Sequence, residues 1–351
     1  MFHANAEGRS AERHDGFRAS AERPLALLAD CPAYAPTPLS DAAALADTLG
    51  VARLWIKDES TRMGLGSFKA LGGAFAVVQM ILDRAGGHDP MTPEARAVAA
   101  QMTFITASAG NHGLSVAAGA RVFHAGAKIV LAASVPESFA DRIRAAGAEV
   151  IRVAGSYEDS IAEAMRLAEE NGWIHLADGS WPGYIEAPAL IMEGYTVLAE
   201  ECRRSFADGG AWPTHVVLQA GVGGLAAAVA AHVRRFWEVQ PEIVVVEPEA
   251  APCMLESVRA GGLTPGQGPA STMGRLDCKD ASLLAFETLR RDADAFLTVS
   301  DDAAAQAVAL LHGADMASTP SGAAALAGLQ ALAPGKEARV MVILSEGPEA
   351  G

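Results

Sequence analysis

Short runs of β-branched and other apolar residues alternate along this chain with longer, alanine-rich stretches whose apolar positions recur at helical spacing. The strand-like runs are residues 52–56, 103–106, 128–132, 149–153, 214–219, 243–246 and 340–344. Between them the spacing predicts helices over residues 67–83, 113–125, 134–146, 157–171, 224–237 and 303–311. Ser156-Tyr157-Glu158-Asp159 has the form of a capping box at the start of one of these helices, and Gly172 is placed to stop it. Gly and Pro cluster at 86–93, 208–213, 261–269 and 334–337 and mark loops. The alternation implies βαβ units, hence an α/β fold with a mainly parallel sheet.

Composition narrows the partners. With 351 residues, half of them apolar, the chain can form two domains or one large α/β unit. Lys plus Arg number 27 against 42 for Asp plus Glu, and the formal charge of -15 argues against a nucleic-acid or anionic-membrane surface. An anionic ligand must therefore be held locally, by main-chain amides at helix N-termini and glycine loops. Cys31, Cys202, Cys253 and Cys278 are widely spaced with no Cys-x-x-Cys pair, so neither a metal site nor a disulfide framework is expected. A reducing cytoplasm is the expected location. Residues 1–24 are polar with no apolar core for a signal peptide, and the apolar stretch 216–231 is too short to span a bilayer.

Four segments carry candidate chemistry. Lys69 stands in Gly66-Ser67-Phe68-Lys69-Ala70-Leu71-Gly72-Gly73, where small neighbours let a compact cofactor approach the backbone and condense with the amine. Thr106-Ala107-Ser108-Ala109-Gly110-Asn111-His112-Gly113 joins a strand to a helix, a turn whose amides can cradle a carboxylate. Asn111 can donate to a phenolate oxygen, while His112 reads as structural. Gln219-Ala220-Gly221-Val222-Gly223-Gly224-Leu225 follows a strand and opens a helix, as a phosphate loop does. Taken alone it also fits a dinucleotide site, with Glu247 as the ribose partner. Ser345, in Val342-Ile343-Leu344-Ser345-Glu346-Gly347, can give a pyridine nitrogen one hydrogen bond without enforcing its protonation.

Together, and in this order, these segments resemble the tryptophan-synthase-β-like, fold type II, pyridoxal phosphate (PLP) enzymes. Pro36-Thr37-Pro38-Leu39 and Thr319-Pro320-Ser321-Gly322 extend the resemblance to nearly the whole chain. It implies two three-layer αβα domains: residues 1–75 plus 190–351 as a large PLP-binding domain, and 76–189 as a smaller inserted one. It also implies that Lys69 forms the Schiff base and that Phe68, Asn111, Gly221, Val222, Gly223, Gly224, Leu225 and Ser345 hold the cofactor. Ser108, Ala109, Gly110, Asn111 and His112 would then bind a small amino-acid substrate, in a homodimer.

Within that family the chain is most similar to the diaminopropionate ammonia-lyases, through Lys57-Asp58-Glu59-Ser60-Thr61-Arg62-Met63-Gly64, Asp178-Gly179-Ser180-Trp181-Pro182-Gly183-Tyr184 and Ile191-Met192-Glu193-Gly194-Tyr195. The resemblance implies α,β-elimination from 2,3-diaminopropionate to pyruvate and ammonia, with Lys69 or Asp178 as general base. Two departures stand out. Ala109 occupies the place of an Asp that relatives use for the D-isomer, whereas Asp178 is kept, so an L-substrate is expected. Thr319 and Pro320 replace a Glu common in relatives. The turn reads like that of threonine and serine dehydratases, which makes a β-hydroxy amino acid dehydratase the alternative activity. A non-catalytic ligand-binding protein on the same fold is the alternative of another class.

Overall fold

The computed structural model describes residues 1–5, 16–87 and 89–348; the polar stretch 1–24 lies partly outside them. Along the chain the strands are β1 Phe2–Ala4, β2 Leu39–Asp41, β3 Arg53–Asp58, β4 Thr103–Ala107, β5 Gly126–Ala132 and β6 Glu149–Val153. They continue as β7 Ile174–His175, β8 His215–Gln219, β9 Glu242–Pro248, β10 Ala295–Val299 and β11 Arg339–Leu344. The chain divides into two compact bodies: Met1–Phe68, Gly179–Ile185 and Tyr195–Gly351 form the first, Lys69–Asp178 and Glu186–Gly194 the second.

The first body is built on a seven-stranded sheet in the order β1-β10-β9-β8-β11-β3-β2. Its five inner strands pair in parallel, and only the three-residue edge strands β1 and β2 are antiparallel. The inner strands are buried along most of their length, which is why Val244-Val245-Val246 and Val340-Met341-Val342 read as continuous apolar runs. Leu54, Ile56, Val244, Val246, Val340 and Val342 pack on one face against the alanine-rich helix Pro320–Leu332. Small side chains bring this helix close: a Cβ on Gly328 would lie 2.3 Å from Val246 Cγ2.

The second body has four parallel strands in the order β6-β5-β4-β7. Ile105, Ala107 and Val130 face Ala164 and Ala168 of the helix Tyr157–Asn171. That helix begins with the expected capping box, Ser156 Oγ accepting from Asp159 N, and ends at Gly172 in the left-handed conformation. The opposite face, which carries Ile129, is covered by the helix Asn111–Val122, which in turn packs on the helix Lys69–Ala85. These two helices touch almost backbone to backbone, since a Cβ on Gly119 would stand 2.8 Å from Ala74 Cα. Among the described residues no helix is long and apolar enough to cross a membrane, and no three His, Cys, Asp or Glu gather as metal ligands.

Candidate active site

In the second body Lys69 is the first residue of its helix, and its ammonium pairs with the Asp178 carboxylate just beyond β7. Both side chains keep about a quarter of their surface in solvent, at 22% and 25%. Burial works to raise the Asp178 carboxyl, but the neighbouring ammonium of Lys69 outweighs it and holds the group far below the usual carboxylate range. The turn from β4 runs through Ser108, Ala109 and Gly110 into the helix opened by Asn111. No side chain caps that helix through Gly110. Ser108 Oγ accepts from Gly110 N at 3.3 Å, and a Cβ on Gly113 would come within 2.5 Å of the Ser108 carbonyl, so the turn folds tightly over a glycine.

His112 is buried, and its Nε2 lies 2.7 Å from the Leu176 carbonyl oxygen, which can only accept. Nε2 therefore carries the proton. Burial lowers the pKa of the ring, in keeping with a neutral, structural histidine. A residue that sequence reasoning missed completes the group: Ser115 Oγ donates to the Lys69 carbonyl at 2.7 Å. Its signal was available, because Ser115 stands three positions after His112 and so on the same helix face.

The first body holds the remaining expected residues. Val222 O accepts from Ser282 N at 2.9 Å, which braces the glycine loop after β8. Gly223 has φ +98, and a Cβ there would meet Met254 Cε at 2.5 Å. The helix Gly224–Phe236 starts directly after it with no side-chain cap, leaving the amides of Gly221–Leu225 suited to an anion. Ser345 follows β11, and its carbonyl accepts from Phe68 N at 3.1 Å. Gln219 is spent on structure, donating to Gly322 O and Ile343 O. Amides for a phosphate, a hydroxyl for a pyridine nitrogen and an amine for an aldehyde match the donor set PLP requires, so the residues present fit this cofactor.

Glu247 does not act as a ribose partner. It is wholly buried and caps the helix Cys253–Ala260, Oε1 accepting from Met254 N at 2.7 Å and Oε2 from Leu255 N at 2.8 Å. Thr319 likewise caps the helix Pro320–Leu332 and donates to Glu346, which also pairs with Arg275. Trp181 stacks on Tyr184, with centroids 4.3 Å apart.

A buried ionic cluster, invisible in any single motif, secures the approach to Phe68. Arg62 Nε and Nη2 donate to Glu59 at 2.7 Å each, and its Nη1 and Nη2 donate to Glu201 at 2.8 Å. Lys57 Nζ joins Glu201 at 2.5 Å, and Tyr34 donates to the same carboxylate at 2.9 Å. From there the chain turns through Met63 at φ 51 and Gly64 at φ 70, then pairs with the last strand's extension, Gly347 N donating to Gly66 O at 3.0 Å.

Comparison with known proteins agrees with this donor set. Residues 31–346 match the Pyridoxal-phosphate dependent enzyme family. The chain is 35% identical over 337 residues to diaminopropionate ammonia-lyase of Escherichia coli K12, covering 90% of this chain and 85% of that protein. It is 30% identical over 306 residues to a probable D-serine dehydratase of Acidovorax ebreus, covering 80% of this chain and 66% of that one. The crystal structure of the Escherichia coli diaminopropionate ammonia-lyase in complex with D-serine superposes with a TM-score of 0.88 at 30% identity, over 99% of this chain and 93% of that one. With the lysine, the uncapped glycine loop and a family match spanning nearly its whole length, the chain belongs to the pyridoxal-phosphate-dependent enzymes of fold type II.

Proposed function

We propose that this protein is a PLP-dependent ammonia-lyase that converts 2,3-diaminopropionate, preferably the L-isomer, to pyruvate and ammonia. The observation that carries the reading is the Lys69–Asp178 pair beside the Ser108–His112 turn, in a chain 35% identical to a diaminopropionate ammonia-lyase. PLP, when bound, supplies an aldehyde that condenses with an amine and a ring that draws electrons from the α-carbon. The first body would act as the PLP-binding domain: the amides of Gly221, Val222, Gly223, Gly224 and Leu225 would hold the phosphate, and Phe68 and Ser345 would serve the ring. In the second body, Asn111 would donate to a phenolate oxygen, and the amides of Ser108 to His112 would hold an α-carboxylate.

Lys69 Nζ would anchor the cofactor and, as a free amine, take the α-proton of the substrate. Asp178 is its charged partner, the carboxyl pKa being held low by the neighbouring ammonium. Its part is to keep Nζ oriented. The proton gained at Nζ is then available to the departing β-nitrogen, a poor leaving group unless protonated. The released enamine hydrolyses to pyruvate and a second ammonia. The L preference rests on Ala109, which offers only a methyl group where relatives carry a second acid, so that the base is left on the side of the Lys69–Asp178 pair.

A second reading, a serine-type dehydratase, is favoured by Ala109 and by the D-serine relatives. Ammonia and pyruvate release from D- and L-diaminopropionate and D- and L-serine decides between them: we expect L-diaminopropionate to be turned over fastest, and fastest turnover of a serine would install the second reading. Lys69→Ala should lose borohydride-trappable cofactor altogether, and trapping at another lysine would overturn the assignment. The four free cysteines support a reducing cytoplasm. Likeness to the family supports a homodimer, which light scattering of the purified protein tests.

A further inference from the structure

The helix Asn111–Val122 reaches the main chain at Lys69 and at Leu176, two residues before Asp178, through two side chains on one face. Ser115 Oγ donates to Lys69 O at 2.7 Å and accepts from Ala74 N at 3.2 Å, so it grips the first turn of the lysine's helix. His112 Nε2–H donates at 2.7 Å to the carbonyl of Leu176, two residues before Asp178. Leu176 is itself tied to the sheet, its N–H donating to Ile105 O at 2.9 Å. Both bonds are out of water, with Ser115 at 0% and His112 at 5% exposure. Close packing fixes the spacing, for a Cβ on Gly73 would stand 2.4 Å from Ser115 Oγ. Lys69, Ser115, His112, Leu176 and Asp178 thus form a ring closed by the Lys69–Asp178 contact. Only that last contact joins two partly exposed, rotatable side chains; the other connections are main chain or short buried hydrogen bonds.

We infer that His112 and Ser115 are positioning residues that set the distance and direction between the Lys69 amine and the Asp178 carboxylate, with the intervening helical turn as a rigid spacer. Neither need touch the substrate for this role. The inference rests on the proposed part of Lys69 and Asp178, yet it is testable without cofactor or turnover. In the apo-protein, the rate of Lys69 acetylation by acetic anhydride, read by mass spectrometry across pH, reports how firmly the ammonium is held by its carboxylate. Asp178→Asn gives the full effect of losing the partner. Ser115→Ala and His112→Phe should each raise Lys69 labelling at a given pH by at least about threefold, part of the way to that limit. His112→Gln, which keeps a donor for Leu176 O, should restore labelling towards the parent value. Thermal unfolding of each variant separates this from loss of fold, and where His112→Phe does not fold, Ser115→Ala decides. Folded variants that label like the parent protein would overturn the inference. Borohydride trapping of PLP at Lys69, done separately, tests the functional reading itself, so the two can fail independently.

Discussion

Glu201 accepts from Lys57, Arg62 and Tyr34 at once while almost wholly buried, so its charge is balanced only as long as the two cations stay. Glu201→Gln leaves two buried cations facing one carboxylate, Glu59, and should destabilise the fold by about 3–5 kcal/mol. A urea midpoint that falls with an unchanged slope would show this, and an unmoved midpoint would refute it. Gly223 carries a different burden, since any side chain there meets Met254 and needs a left-handed backbone. Gly223→Ala should cost about 1–3 kcal/mol and release PLP on dialysis faster than the parent protein does, which the visible absorbance follows. Lys57, Glu59 and Arg62 were readable as a motif, as were Lys69 and the glycine loop. Their meaning was not fully readable, because Glu201 lies 139 positions from Arg62 and the pairing exists only in the folded chain. For the same reason Glu247 looked like a ribose partner until its two amides were found.

Among the elements, the helices Lys69–Ala85 and Asn111–Val122 fit closely. Gly119→Val places a branched side chain 2.8 Å from the Ala74 backbone and should lower stability by about 1–3 kcal/mol, measured as a drop in Tm. An unchanged Tm would mean that the helices part easily. The inner strands were legible because parallel strands buried on both faces leave unbroken apolar runs. The 24-residue helix Glu186–Gly209 was not, since Pro188 and Gly194 read as breakers. Pro188 falls in the first turn, where its missing N–H costs nothing, and Gly194 is needed because a Cβ would stand 2.6 Å from Leu71 O. The helix Pro320–Leu332 was hidden for the opposite reason: buried nearly all round, it has no polar stripe to reveal its period. Edge strands β1 and β2, and β7 in the other sheet, are two or three residues long, too short to show alternation.

Over the whole molecule, stability should depend on pH through groups buried in neutral form. Burial pushes the Glu247 carboxyl up to about 8 from 4.5 and pushes His175 down to about 4 from 6.5, with His112 adding to the latter shift. For Glu247 the folded state binds the proton more tightly than the unfolded chain, so its contribution is fully present below pH 4.5 and is lost as pH rises towards 8. The histidine works in the other direction, its contribution being lost as pH falls from 6.5 towards 4. Glu247→Gln should therefore gain stability relative to the parent protein between pH 5 and pH 8, and Tm curves running parallel across that range would contradict the assignment. The order of strands has a consequence in time. Strand β11 lies between β3 and β8 in the first body's sheet, with Arg339 beside Arg53 on one side and Val340 beside His215 on the other. On the ribosome, β2 and β3 emerge early but have no strand to join them to β8 until β11 follows, so the sheet closes only once β11 has emerged. The pairing of β11 with β3 forms after the other strands of this sheet have emerged, and the nascent chain must keep an unfinished apolar sheet out of aggregation until then.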